Sequence, residues 1–300
     1  IESRKLRNAS GSSFPRVRRK ITADLTLGGL PSLNRGMNSR SAPILQHILL
    51  ETAERRHRGE HLMMVFDLDS TLFDVSPRIQ RILHDFAGQA DIVALDPVNA
   101  ALLASLKAER HDWGIRTIVE RAGLHLKNPE LINRAREFWI RHFFSNEYLR
   151  FDQPLPGAVD FVRFVEALGV KLIYLTGRDT SKLLSGSLEG LRAHRFPLAA
   201  DGAELVMKPA TGIEDHAFKE QWFDAIPKGT HGKIWFYENE PVNLDKIRVR
   251  HPEVELIFVD TTHSRKMPSP SDLRTIDDFR VDWAALAKSL PPIYTNFIPR

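Results

Sequence analysis

The sequence predicts an α/β protein with a parallel sheet, helices on both faces of that sheet and an inserted all-helical cap. Short apolar runs of strand length recur between helical or loop segments, at 62–66, 170–175, 205–207, 233–237 and 254–259. Strands that alternate with helices form parallel sheets, because each crossover needs a connecting segment of helical length. Between the first two strands the chain has amphipathic helical runs and no convincing strand, which indicates an inserted helical cap over 76–153.

Two aspartates follow the first predicted strand. Asp67 would be held by the sheet and Asp69 would lie on the following loop, with both side chains on one side because side chains alternate along a strand. Open α/β sheets bind their ligands at the carboxyl ends of strands. A carboxylate there can attack a phosphoryl group if a cation shields the negative charges. Taken alone, the two acids are equally compatible with the cap of a helix that starts near Ser70.

The second predicted strand leads directly into Thr176 and Gly177, and a helix is expected over 180–194. A Thr hydroxyl and free backbone N–H groups can donate hydrogen bonds to a phosphate oxygen, and Gly allows the backbone to approach it closely. Taken alone, an ordinary strand-to-helix turn with a capping Thr explains this segment better.

Two lysines and two acids are the remaining candidates. Lys219 lies at the start of a predicted helix, whereas its competitor Lys208 follows a strand and precedes a proline. A buried ammonium would neutralise a phosphate and a neighbouring carboxylate, although a solvated surface lysine is the usual alternative. The fourth strand ends in Glu238, Asn239 and Glu240. Of these, we expect Glu240 to be exposed.

The four segments occur in the order of motifs I to IV of the haloacid dehalogenase superfamily, and the stretch from Leu62 to about Asp260 resembles that family. The second aspartate, Asp69, resembles the phosphatase branch. The resemblance implies a Rossmann-like core, with Asp67 as nucleophile and Asp69 as general acid and then base. It also implies phosphate binding by Thr176, Gly177 and Lys219.

The same resemblance implies Mg²⁺ as cofactor, held by Asp67, Asp69 and Glu238, with Asp69 contributing its backbone carbonyl. The family usually has Asp where this chain has Glu238. Since Mg²⁺ requires near-ideal oxygen geometry at about 2.0–2.1 Å, the additional methylene makes this ligand a departure from the pattern.

The predicted domains are a core of 41–75 and 154–300, the cap of 76–153, and a disordered basic segment of 1–40. Within the cap, Ile132, Ala135, Phe138, Trp139 and Phe143 form a helical apolar stripe, which we interpret as packing rather than as a substrate site.

The first forty residues carry nine Lys or Arg against two acids, a charge of +7 in a chain whose total is +4. The remainder is therefore at −3, which disfavours a nucleic-acid groove. The composition predicts disorder, and organelle targeting by residues 1–36 or a misplaced start before Met37 both stay open. The chain has no cysteine, which excludes disulfides and a thiol nucleophile. It has no apolar stretch of the ~20 residues that span a bilayer. A cytoplasmic location is the default.

The sequence therefore predicts a Mg²⁺-dependent hydrolase that acts on a small phosphorylated metabolite through an aspartyl-phosphate intermediate, in an unknown oligomeric state. A polynucleotide 3′-phosphatase is one alternative, since residues 190–197 and 205–209 are similar to the phosphatase half of bacteriophage-type polynucleotide kinases. A non-catalytic binding protein on the same fold is another, motivated by Glu238.

Overall fold

The computed structural model of the protein describes residues 40–124, 128–198 and 202–299. The predicted disorder of residues 1–40 therefore lies, except for Arg40, outside the described residues. Within the described part of the chain, no helix is long and apolar enough to cross a membrane.

Six parallel strands form the central sheet, in the order β5-β4-β1-β6-β7-β8. These strands are β1 (Leu62–Phe66), β4 (Lys171–Asp179), β5 (Ala203–Lys208), β6 (Lys233–Glu238), β7 (Val254–Val259) and β8 (Arg274–Ile276). All five predicted strands are present, and β8 is an addition at the edge. The parallel α/β fold is thus confirmed.

The sheet is buried on both faces because alternate residues of its strands are apolar and face opposite ways. In β1, Met64 and Phe66 pack with the core on one face, whereas Met63 and Val65 pack with the core on the other. All five residues of β1 are buried. The strand is therefore a rigid support for whatever follows it.

Helices cover both faces, as predicted. Those outside the insertion are α1 (Ser41–His57), α8 (Ala158–Ala167), α9 (Thr180–Ala193), α10 (Asp215–Asp224), α11 (Pro241–Arg250) and α12 (Trp283–Ala287), with a 3₁₀ helix over Pro292–Phe297. Helices α1 and α8 supply apolar side chains to the first face, and α10 and α11 supply them to the second.

The predicted insertion contains α2 (Ser76–Ala87), α3 (Ala90–Leu95), α4 (Pro97–Ser105), α5 (Gly114–Arg121), α6 (Pro129–Phe143) and α7 (Asn146–Leu149). These helices share a hydrophobic core of their own, built from residues such as Ile82, Leu103 and Ile118. A short antiparallel pair, β2 (Phe73–Asp74) with β3 (Gln153–Pro154), brings the two ends of the insertion together. The described residues of the insertion form a helical cap whose two ends are joined to the core through the β2–β3 pair.

Two local predictions differ from the structure. Residues 176–179 were expected to form a turn, but they continue β4. Thr176 pairs with Met207 of β5 and Asp179 pairs with the next residue, Lys208, so the register of the two strands shifts between Thr176 and Asp179. Lys219 was expected near the start of a helix, but it lies in the middle of α10.

Candidate active site

Asp67 lies one residue beyond β1, in the centre of the sheet where the strand order reverses. Its N–H donates to the carbonyl of Tyr237 in β6 over 3.0 Å, so the backbone of the neighbouring strand fixes its position. The residue is only 5% exposed. This is the position at which open α/β sheets bind ligands.

Lys219 joins Asp67 to Glu238. Its Nζ donates to Asp67 Oδ1 over 2.7 Å and to Glu238 Oε2 over 2.6 Å. Both carboxylates and the ammonium are buried. Of the two candidate lysines, Lys208 instead donates to Asp215 over 2.6 Å and to the carbonyl of Ile213. The structure therefore places Lys219, and not Lys208, beside the candidate nucleophile.

Glu238 ends β6 and is held on both oxygens. Its Oε1 accepts the N–H of Glu240 over 2.9 Å, and its Oε2 accepts from Asn243 over 3.1 Å as well as from Lys219. The longer side chain thus still reaches the group that contacts Asp67. Glu240 turns away: it accepts two hydrogen bonds from Ser264 and is partly buried, where we expected it to be exposed.

Burial sets the protonation of this cluster. It raises the pKa of Asp67 from 3.8 to about 8, against the attraction of Lys219 and with the repulsion of Glu238. Burial would lower the pKa of Lys219, but the carboxylates of Asp67 and Glu238 raise it above its ordinary value. Lys219 is therefore a permanent cation, and a second cation would keep Asp67 ionised at neutral pH.

Asp69 lies in a separate ionic cluster with two arginines. Arg178 donates to both of its carboxylate oxygens, over 2.9 and 2.7 Å, and Arg78 of α2 also donates to it. The same two arginines bind Asp152, with Nε of Arg78 at 2.8 Å and Nη2 of Arg178 at 2.9 Å. The side chain of Asp69 is 29% exposed, whereas the other three members of the cluster, Arg78, Arg178 and Asp152, are at most 4% exposed.

The arginines determine the charge of Asp69. Burial opposes its ionisation, but the guanidiniums of Arg178 and Arg78 outweigh burial and hold its pKa well below the ordinary value. Burial dominates at Asp152, whose pKa is raised to about 6 in spite of the same arginines. Asp69 is therefore a carboxylate at rest, which favours proton acceptance over proton donation.

Sequence reasoning did not identify Arg78, Arg178 and Asp152. Arg178 stands beside Thr176 and Gly177 in a segment that was singled out, but its partner Asp69 is 109 residues away. A buried arginine between two aspartates has no local sequence signal. The available hint was the position of Arg78 and Asp152 near the two ends of the predicted cap.

Thr176 and Gly177 lie at the end of the same sheet, but they differ in access. Thr176 is 1% exposed, and its hydroxyl accepts the N–H of Arg178 over 3.2 Å. Gly177 lines the cavity. A Cβ at Gly177 would lie 2.4 Å from a carboxylate oxygen of Asp215, so a larger residue there would displace that side chain. The structure thus brings Gly177, but not the Thr176 hydroxyl, to the cavity wall.

The residues present fit Mg²⁺ through two carboxylates. The described residues contain no group of three or more His, Cys, Asp or Glu side chains placed to hold a metal. Mg²⁺ is, however, usually bound through one or two carboxylates and several waters, and Asp67 and Glu238 converge on one ammonium. The carboxylate of Asp69 is bound by Arg78 and Arg178, so its backbone carbonyl oxygen is the ligand that this residue can offer to Mg²⁺.

The cavity above these residues has a volume of about 280 Å³. The core contributes Asp67, Lys219 of α10 and Glu238 to its wall, and the cap contributes aromatic rings, among them Trp139 and Phe143. We interpreted the stripe that contains these two rings as packing. The stripe does pack in the cap core, but Trp139 and Phe143 also line the cavity, because the helix presents one edge of its apolar face to the sheet.

Comparison with known proteins gives one informative match. Residues 63–216, just over half of the chain, match the family model described as haloacid dehalogenase-like hydrolase. The search of curated proteins found no match.

Three solved structures are among those to which the chain has a distant similarity. A haloacid dehalogenase superfamily hydrolase from Ehrlichia chaffeensis is 12% identical with a TM-score of 0.40, over 80% of this chain and 98% of that chain. A subfamily IA, variant 1 hydrolase of the same superfamily from Geobacter sulfurreducens is 15% identical with a TM-score of 0.40, over 73% and 93%. A predicted phosphoglycolate phosphatase from Haemophilus somnus is 16% identical with a TM-score of 0.38, over 73% and 95%. The family match, not these distant similarities, carries the assignment.

Proposed function

We propose, from the premise that this chain belongs to the haloacid dehalogenase-like hydrolases, that it is a Mg²⁺-dependent phosphatase acting on a small phosphomonoester. The observation that carries the proposal is the buried group of Asp67, Lys219 and Glu238 at the carboxyl edge of the sheet, joined by hydrogen bonds of 2.7 and 2.6 Å. This group combines a fixed nucleophile with a fixed cation in one small cavity.

In the proposed reaction, an oxygen of Asp67 attacks phosphorus and the bond to the ester oxygen breaks. The leaving oxygen takes a proton from Asp69, and the product is an acyl phosphate on Asp67. A water molecule then gives its proton to Asp69 and attacks phosphorus. In this second step the bond between phosphorus and the oxygen of Asp67 breaks, so inorganic phosphate is released, Asp67 is a carboxylate again and Asp69 again holds the proton.

Lys219 and the N–H of Gly177 are the proposed phosphate contacts. The ammonium lies 2.7 Å from Asp67, so it would face the transferring phosphoryl group at the point where negative charge accumulates. Mg²⁺, held by Asp67, Glu238 and the backbone carbonyl of Asp69, would shield the nucleophile from the charge of the phosphate. Thr176 would stabilise the end of β4 rather than touch the substrate, since its hydroxyl accepts the N–H of Arg178.

The arginine pair makes proton donation the demanding part of this mechanism. Asp69 is ready to accept a proton from water, but in the first step it must already hold one while Arg78 and Arg178 face it. Arrival of an anionic phosphate near the arginines would weaken their hold on Asp69 and raise its pKa. Asp69 is therefore proposed to gain its proton when substrate binds.

The test is a panel of small phosphomonoesters assayed with Mg²⁺, with Mg²⁺ removed by EDTA, and with the variants Asp67→Asn and Asp272→Asn. We expect turnover of at least one ester, loss of turnover in EDTA, and its abolition in Asp67→Asn, because an amide cannot form the acyl phosphate. Asp272→Asn is the matched control, because Asp272 is 65% exposed, pairs with Arg248 and lies outside the cavity. Normal turnover in Asp67→Asn would refute the mechanism, and a silent panel would favour a non-catalytic binding protein.

A further inference from the structure

We propose that four aromatic side chains of the cap form a binding subsite for a flat ring carried by the leaving group of the substrate. The four are Trp113, Trp139, Phe143 and Phe144. The inference rests on the proposed function and goes further, since it names the class of substrate: a small phosphomonoester whose leaving group contains one aromatic ring.

The four rings share one cavity with the candidate nucleophile. All four line the 280 Å³ space whose opposite wall holds Asp67 and Lys219. Two of them are open to solvent, with Trp113 43% and Phe144 46% exposed. Aromatic rings bind other rings in stacked or edge-on arrangements, which supply more affinity than apolar area alone.

Trp113 is held above the site by a segment of the cap that is tied to the core. His111 Nδ1 lies 2.9 Å from the carbonyl of Thr261, and the hydroxyl of Thr262 donates to the carbonyl of His111 over 3.3 Å. Arg110 donates to the carbonyl of Asp277. Three contacts on two consecutive residues fix the chain two residues before Trp113, which holds this part of the cap next to the core.

Trp139 and Phe143 are positioned by their contacts with Gly114 and Arg78. Gly114 has φ +67°, and a Cβ there would lie 2.8 Å from the ring of Trp139, so glycine lets the indole pack against the backbone. The guanidinium of Arg78 lies 4.0 Å from the centre of the Phe143 ring. It also donates to the carbonyl of Phe143 over 3.1 Å. The ionic cluster around Asp69 therefore positions one wall of the ring subsite.

Charge and size select the ligand. The charged groups that line the cavity near the cap are paired: Asp112 with Arg121 over 2.8 Å, and Lys208 with Asp215 over 2.6 Å. A phosphate would contact Lys219, which lines the cavity beside Asp67, and the Mg²⁺ that Asp67 and Glu238 would hold. Pockets for drug-sized molecules begin at about 300 Å³. A cavity of 280 Å³ therefore accommodates a phosphate with one ring rather than a ligand with several rings.

The experiment compares 2-phenylethyl phosphate with 2-cyclohexylethyl phosphate, with Mg²⁺ present. Both have a primary alkyl leaving oxygen and nearly equal bulk, so they differ in ring flatness and not in leaving-group basicity. We expect kcat/KM to be about 3- to 10-fold higher for the phenyl ester, the size of one or two ring contacts. Trp113→Leu and Phe144→Leu should reduce this ratio towards one, and Trp113→Tyr should preserve it.

Phe297→Leu is the matched control, because Phe297 is 41% exposed and lies outside the cavity; it should leave the ratio unchanged. Equal turnover of the two esters by the native protein would overturn the ring subsite while leaving the phosphatase intact. If neither ester is turned over, calorimetric titration with each ester separates the two proposals. Tighter binding of the phenyl ester by 3-fold or more would retain the subsite without the phosphatase, whereas equal or absent binding would overturn the subsite too.

Discussion

At the scale of single residues, the site contains two carboxylates with opposite protonation behaviour. Asp67 and Asp69 are two positions apart, yet burial raises the pKa of the first and two arginines lower the pKa of the second. Pairs of acids whose environments separate their pKa values are typical of acid–base sites. The division follows from which partners each side chain contacts rather than from its distance along the chain.

The raised pKa of Asp67 predicts how stability depends on pH. A carboxyl group whose folded pKa is above its ordinary 3.8 stabilises the fold at low pH, and this contribution is lost as pH rises through about 8. In EDTA, the native protein should therefore lose stability between pH 5 and 8 relative to Asp67→Asn. Each pKa unit corresponds to about 1.4 kcal/mol. Urea unfolding at pH 5.5, 7 and 8.5 measures the difference.

Asp152, whose pKa is raised to about 6, is present in both proteins, so its contribution cancels. Parallel stability curves for the native protein and Asp67→Asn would contradict the raised pKa. Addition of Mg²⁺ at pH 8 should stabilise the native protein more than the variant, because the cation removes the cost of the buried charge.

Glu238 and Glu240 give a second residue-scale prediction. Glu238→Ala should raise the Mg²⁺ concentration that is needed for half-maximal activity, since it removes one of two carboxylates proposed for the metal. Glu240→Ala should have a smaller effect, because that side chain binds Ser264. Titration of activity with Mg²⁺ for both variants measures this. A larger effect of Glu240→Ala would show that the metal ligand lies two residues further along the chain than Glu238.

Asp69→Asn is the third residue-scale prediction. It should slow turnover by about 10²–10⁴-fold, the usual contribution of a positioned acid–base group. The fold should survive, because Asp69 is the partly exposed member of its cluster. Steady-state kcat, with thermal unfolding of the same sample, checks both parts. A kcat within twofold of the native value would remove Asp69 from the mechanism.

At the scale of elements, the buried guanidinium of Arg78 attaches α2 to the core. Arg78 is 1% exposed and contacts both Asp69 and Asp152. Arg78→Met should reduce the free energy of unfolding by about 3–5 kcal/mol, because Asp69 and Asp152 then share the one guanidinium of Arg178 and one negative charge is left uncompensated. Chemical denaturation measures the change.

Arg116→Met is the matched control for Arg78→Met. Arg116 makes an i, i+4 ion pair with Glu120 on the surface at 77% exposure, where such pairs contribute little. Equal stability of the two variants would show that Arg78 is not a structural ion.

The elements also mark where sequence reasoning succeeds and fails. Runs such as 62–66 were predictable because a buried parallel strand is continuously apolar, and the order of the four motif segments located Asp67, Lys219 and Glu238. Strand β8 was not, since Arg274–Ile276 is too short to show a period. The arginines around Asp69 were missed because long-range ion pairs depend on the tertiary fold, and Trp139 because one apolar stripe can both pack and line a cavity.

At the scale of the whole molecule, size and charge limit the substrate. The cavity of about 280 Å³ is covered by the cap, and the chain beyond the first forty residues carries −3. A 3′-phosphorylated oligonucleotide should therefore be dephosphorylated much more slowly than a small ester, because a net negative body repels a polyanion. Parallel assays with both substrates over a range of salt concentrations measure this. Efficient oligonucleotide turnover would favour the polynucleotide phosphatase.

The cluster of Arg78, Asp152, Asp69 and Arg178 bears on how the cap could be exchanged between proteins. Arg78 and Asp152 belong to the predicted insertion of 76–153, whereas Asp69 and Arg178 belong to the core. Each side thus holds one positive and one negative charge, and the two members of each side also contact each other. Removal of the insertion would leave a self-neutralised pair on the core and take another away with the cap. The charges on each side of the boundary are therefore balanced. If the cap were replaced by one from another protein that has neither Arg78 nor Asp152, Asp69 of the core would still be paired with Arg178.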